Sequence, residues 1–277
     1  MYESHIGGPL IWPSAEPWPM CDRMITVEVP PSDEATGGAR DRVPETPIPM
    51  VGVAQFYARD FPEILFPQDA DLLQVLWCPN DHLLEGTIAP LPQLIWRRFA
   101  DLADPFAQPP RRDYAAPSSP PGAPSVELAQ KYYLPRPCML HPERIIEYPS
   151  LEELPEQLQQ PLSEWDDEAD FAYSDLLSVA TGCKIGGWVS WGLTDMYKLA
   201  CEVCGAETEL LLKFASSEWE DDGEQRWRPL EERRILRGTP EYAQIHEPTT
   251  LQLGRDASLY IFVCPQSADH GYRLSIQ

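Results

Sequence analysis

One phrase is written twice in this chain. Residues 5–12 read "HIGGPLIW" and residues 184–191 read "KIGGWVSW", sharing an isoleucine, two glycines and a tryptophan four residues after the second glycine. Two further pairs keep the same order: "GVAQFYARDFPE" (52–63) with "ELLLKFASSEWE" (209–220), and "DLLQVLWCP" (71–79) with "ASLYIFVCP" (257–265). Order kept three times over predicts an internal duplication, and two repeats are too few for a solenoid, so the copies are expected to pack together. A length of 277 residues leaves room for a real core in each.

Proline narrows the architecture further. Thirty-one prolines argue against long uninterrupted helices and for short strands, turns and ordered loops. The expected fold class is α+β, strand-dominated, with two pseudo-symmetric halves from an internal duplication packed into one compact unit. Residues 1–103 make the first half, 104–125 a Pro/Ala/Ser-rich linker, and 126–277 the second half with an acidic helical lead-in. Strands are expected at 50–58, 71–79, 207–216 and 258–265. The segment 29–49 reads as a polar loop, and 151–182 as helix in pieces, broken near its prolines. "LPQLIWRRFADLA" (91–103) places Leu94, Ile95, Phe99 and Leu102 at helical spacing, which predicts an amphipathic helix.

The net charge is −23, and both halves share it. A field of that sign repels phosphate backbones, so nucleic acid is not expected as a partner and a basic protein is. No apolar run approaches the roughly 18–20 residues that cross a bilayer, and Met1 is not followed by a basic and then apolar leader. Seven cysteines, an odd number, suggest reduced thiols or metal ligands rather than a disulfide framework. The expected address is the cytoplasm. The second phrase has a lead-in that the first lacks, so the first half is expected either to miss a strand or to start upstream of Met1.

Cys201-Glu-Val-Cys204-Gly is the sharpest chemical motif, because a Cys-x-x-Cys turn points two thiolates at one tetrahedral ion. Cys264 and His270 in "CPQSADH" could complete a Cys3His zinc site, with Cys183 as a further donor. The first half carries a reduced echo in Cys21, Cys78 and His82. Thiols packed without metal are the other reading. Adjacent glycines serve tight turns, or cradle an anion with their amides, with Lys184 as the only base nearby. His5 stands where the second copy has Lys184. Trp12, Trp18, Trp188 and Trp191 either build core or line a cleft shared by the two halves. The run Asp166, Asp167, Glu168 and Asp170 reads as a solvated face. No nucleophile elbow, zinc-protease, phosphate-loop or dinucleotide motif occurs, so catalysis has no foothold.

The phrases "KIGGWVSW", "CEVCG", "ELLLKF" and "GRDASLYIFVC", with "HIGGPLIWPSAEPWP", "GVAQFYARD" and "DLLQVLWCP" before them, make the chain similar to the YwqG-like family of bacterial proteins. The resemblance spans nearly the whole chain. It implies a soluble, internally repeated α+β fold with no established reaction, and an immunity-like role beside toxins. Acidity, missing catalytic motifs and the resemblance together predict a non-enzymatic protein-binding module for a basic partner, such as a toxin domain. The alternative is a small-molecule-binding or zinc-containing enzyme using the cleft between the halves.

Overall fold

The computed structural model describes residues 3–29, 38–84, 86–102, 130–254 and 256–277. The expected linker at 104–125 lies outside them. The fold is strand-dominated and its sheets are antiparallel. The chain forms two compact units: Met1–Phe61 with Phe66–Leu140, and Pro62–Leu65 with His141–Gln277. The second unit thus begins after Leu140 rather than at residue 126, because Cys138–Met139 pairs with the strand of the first Gly-Gly phrase.

The first unit holds β1 (His5–Ile6), β2 (Met20–Cys21), β3 (Ile25–Val29), β4 (Gly38–Arg42), β5 (Ile48–Pro49), β6 (Val51–Tyr57), β7 (Leu72–Leu84), β8 (Thr87–Arg97) and β9 (Cys138–Met139). One sheet runs β4-β3-β7-β6-β1-β9 with β8 on the other edge of β7, while β2 and β5 pair separately. Every residue from Leu72 to Cys78 is fully buried, so both faces of β7 are covered. That is why its sequence is a continuous apolar run instead of an alternation. Gln74, the polar residue in that run, is satisfied by Arg97, by Gln55 and by the Ile11 carbonyl.

The second unit holds β10 (Lys184–Ile185), β11 (Glu209–Ala215), β12 (Ser258–Val263) and β13 (Tyr272–Ile276), paired in chain order. Its helices are α1 (Glu156–Glu168), α2 (Glu224–Trp227) and α3 (Pro240–His246), with a π-helical turn at Ala172–Leu177. The expected solvated face at the end of α1 has one exception. Asp166 is buried, and its carboxylate accepts from the Tyr173 and Ser174 amides and the Ser174 hydroxyl.

Both sheets contain the same pairing pattern, β1-β6-β7-β8 in the first unit and β10-β11-β12-β13 in the second. Ile6 pairs with Ala54 and Ala54 with Val75; Ile185 pairs with Leu212 and Leu212 with Ile261. A register shift precedes Ala54 and Leu212 alike. Ala54 therefore corresponds to Leu212, and the sequence alignment of 52–63 with 209–220 is out by one residue.

Two expectations fail in the first unit. The amphipathic helix at 91–103 is strand β8 followed by a 3-10 turn at Phe99–Asp101. Leu91 and Ile95 both pack on the core, and a spacing of four puts two residues on one face in either a strand or a helix. β8 pairs on one side only, with β7, and such an edge strand tolerates the missing N–H groups of Pro90 and Pro92. The polar loop at 29–49 includes β4 and β5, and exposed β4 covers the edge of β3.

Candidate metal centre and acidic cleft

The second Gly-Gly phrase does cradle an anion, and the anion belongs to the protein. Glu147 places its carboxylate against the turn: Lys184 Nζ donates to both oxygens at 2.7 Å, the Trp188 amide to Oε1 at 2.6 Å and the Ala180 amide to Oε2 at 2.7 Å. Gly187 has φ of +79°, and a Cβ there would lie 1.9 Å from Glu147 Oε1, so only glycine fits. Burial pulls the Lys184 ammonium down to about 8 against the opposing pull of Glu147. Lys184 therefore braces the turn, holding Glu147 and the Trp188 carbonyl together. In the first unit the close approach is to the other glycine of the phrase: the backbone of Arg136 lies against Gly7, the counterpart of Gly186, and His5 Nδ1 donates to the Glu3 carbonyl. Glu147 escaped the sequence reading because 37 residues separate it from its lysine and nothing local marks it.

The tryptophans divide by unit. Trp12 is 1% exposed in the core, its ring centroid 5.0 Å from Trp18, with the Arg97 guanidinium over its face. Trp18 packs on the same core and donates to the Met50 carbonyl. Neither is a cleft residue, which corrects the expectation of a shared four-tryptophan lining. Trp188, 40% exposed, and Trp191 instead line a cleft of about 740 Å³ in the second unit. Its lining also includes Tyr197, packed edge-on to Trp191, and Glu63, Glu152, Glu153, Glu207 and Glu209. Burial raises the Glu153 carboxyl above the usual range. Lys198, the cationic side chain of the lining, is paired with Glu207.

One wall of that cleft is the hairpin that carries the Cys-x-x-Cys. Ala200 and Glu207 form a bridge, the Cys201 amide donates to the Ala206 carbonyl, and the Gly205 amide donates back to Cys201. Leu199, Glu207 and Thr208 line the cleft from this hairpin, while Cys201 and Cys204 meet the residues that follow β12. There Cys264 follows the strand and His270 sits in a 3-10 turn capped by Ser267. One ligand atom from each of Cys201, Cys204, Cys264 and His270 lies within 4.8 Å of every other. Cys204 Sγ is 3.5 Å from Cys264 Sγ, and Cys264 Sγ is 3.3 Å from His270 Nδ1. Tetrahedral bonds of about 2.3 Å to sulfur put two thiolates about 3.8 Å apart, so the four side chains could hold one metal ion.

The electrostatics favour one thiolate over its neighbour. Burial raises the Cys264 thiol, but the Gln266 amide, His270 and Cys204 outweigh it and bring it to about 6. At Cys204 the Ala206 amide lowers the thiol, but Cys264, burial and Cys201 outweigh it and push it up. Cys183, the further donor considered from the sequence, stands apart from the cluster and interacts with the backbone of Ala215. The first unit's Cys21, Cys78 and His82 form a second cluster, with all three residues buried. None of the seven cysteines is in a disulfide, and among the described residues no helix is long and apolar enough to cross a membrane. No protein-family model matches the chain, and no curated protein matches it.

Proposed function

We propose that this chain is a non-enzymatic, cytoplasmic protein-binding module whose second unit grips a basic, aromatic- or aliphatic-bearing segment of a partner protein. The carrying observation is the composition of the cleft lining: the rings of Trp188, Trp191 and Tyr197, five glutamates, and a lysine already paired. An apolar anchor against the rings and cations against the carboxylates satisfy both kinds of lining, and the field of a chain at −23 steers such a partner inward. Zinc at Cys201, Cys204, Cys264 and His270 belongs to the same reading. It ties the hairpin wall to the end of β12, and four protein ligands leave no open position for a zinc-bound water. That closed shell favours the binding reading over a zinc enzyme.

Descent of the two units from one duplicated unit is also part of the proposal, supported by the shared pairing pattern and matching register shifts. Membership of the YwqG-like family, and an immunity-like role against a basic toxin domain, rest on the motif matches alone. The test is titration of the full chain with two synthetic peptides of equal length, one Arg/Lys-rich with Leu and Phe anchors, the other its Glu/Asp counterpart. Binding of the basic peptide that weakens with salt and is lost in a folded Trp188→Ala variant supports the proposal. Equal affinity for both peptides, or none for either, sinks it.

A further inference from the structure

The first unit carries a cluster that the cleft does not use. Cys21 ends β2, while Cys78 and His82 lie four residues apart on β7. Their relative exposures are 3%, 0% and 2%, yet one ligand atom from each lies within 4.8 Å of the other two. Four residues of regular strand span about 13 Å, so Cys78 and His82 would be out of reach on a straight β7. The register against β8 jumps between Cys78 and Asp81, and a strand bends at such a bulge, here between the thiol and the imidazole.

The histidine is oriented as a ligand. His82 Nδ1 lies 2.7 Å from the Met24 carbonyl and donates its N–H there, which leaves the lone pair on Nε2. Nε2 faces Cys21 Sγ at 3.9 Å. A backbone carbonyl that fixes the tautomer from behind is the second contact a metal-binding imidazole requires. The place in the fold also corresponds to the other cluster. Cys78 comes three residues after Val75 and Cys264 three after Ile261, and those two residues hold the same register position in the shared strand pattern.

We propose that Cys21, Cys78 and His82 form a second zinc site, buried in the first unit and independent of the cleft. Two thiolates balance the two charges of the ion, so the complex is neutral, and a neutral complex escapes most of the cost of placing charge inside a core. The ion enters as the unit folds, and binding it stabilises the folded state. The site goes beyond the binding reading above, which needs zinc only in the second unit.

The test counts metal sites on the full chain. Reduced, chelator-stripped protein is titrated with Co²⁺, the thiolate-to-cobalt charge-transfer absorption is followed to saturation, and Zn²⁺ is then added to displace it. The proposal expects two equivalents for the wild type, one for Cys201→Ser/Cys204→Ser, and none when His82→Gln is added to that pair. A double variant that keeps its near-ultraviolet circular dichroism but binds no cobalt overturns the site. This arm leaves the first unit untouched, so the result stands even where the variant with His82→Gln fails to fold. If the wild type and double variant each bind one equivalent, removed by His82→Gln, this site holds and the second-unit zinc fails.

Discussion

Lys184 and Glu147 form a buried ion pair in which the ammonium reaches both carboxylate oxygens at 2.7 Å, with both side chains under a tenth exposed. The pair turns the second Gly-Gly phrase into a closed internal site, with the backbone of Ala180 and Trp188 completing the ring of donors. Its consequence for function is positional, because Trp188 at the cleft is held by the same carboxylate.

Breaking this pair from one side strands a charge. Glu147→Ala is expected to destabilise the protein by about 3–5 kcal/mol, read as a lower urea midpoint. Gly187→Ala meets the Glu147 carboxylate and the positive φ together. Its cost should shrink in a Glu147→Ala background, where the clash is gone and only the backbone strain is left. Equal costs in both backgrounds would show that the contact is not what demands glycine.

The tryptophans should separate cleanly by unit. Trp12→Ala removes a fully buried ring and should cost about 3–5 kcal/mol in denaturant unfolding. Trp188→Ala, at an exposed cleft position, should cost under about 1 kcal/mol, while abolishing binding of the basic peptide. A large stability loss at Trp188 would reassign it to the core.

Removing metal should act on stability. With free zinc at a thousandfold above Kd, binding contributes about 4 kcal/mol to the folded state, and that contribution vanishes with excess chelator. Urea unfolding with and without chelator measures it. Cys204→Ser should lower the midpoint without chelator and reduce the further drop when chelator is added. A wild-type midpoint indifferent to zinc and chelator alike would leave these cysteines as packing.

Glu218 predicts an acid-side dependence of stability. Burial raises its carboxyl to about 7 against the lowering effect of Lys213, so between its ordinary value near 4.5 and about 7 the folded chain holds a proton that the unfolded chain has released. That contribution to stability is complete below 4.5 and is lost as pH rises toward 7. Other groups titrate in the same range, so the comparison is with Glu218→Gln, which stays neutral. The variant should gain on the wild type by roughly 1–3 kcal/mol between pH 5 and pH 8. Parallel pH profiles for the two proteins would contradict it.

Much of the chain declares itself locally. The apolar runs that became β6, β7, β11 and β12 lack any helical pattern and end at turns, and proline density ruled out long helices. The Cys-x-x-Cys hairpin and its partners Cys264 and His270 were legible because ligand chemistry restricts both residue type and spacing. Local pattern fell short where two periods coincide, as at Leu91 and Ile95 in β8, and where only strand pairing fixes which residues correspond, as Ala54 and Leu212.

The sequence by itself determined which segments can be strands, which cysteines can share an ion, and that two stretches repeat in order. Tertiary structure alone decided that Glu147 is the anion of the second phrase, that Trp12 is core while Trp188 is exposed, and that Cys78 and His82 meet across a bulge. The reason is distance along the chain. Backbone geometry and ligand preference act between near neighbours and leave a readable pattern. Burial and charge pairing act between residues tens of positions apart, and only the folded chain brings those together.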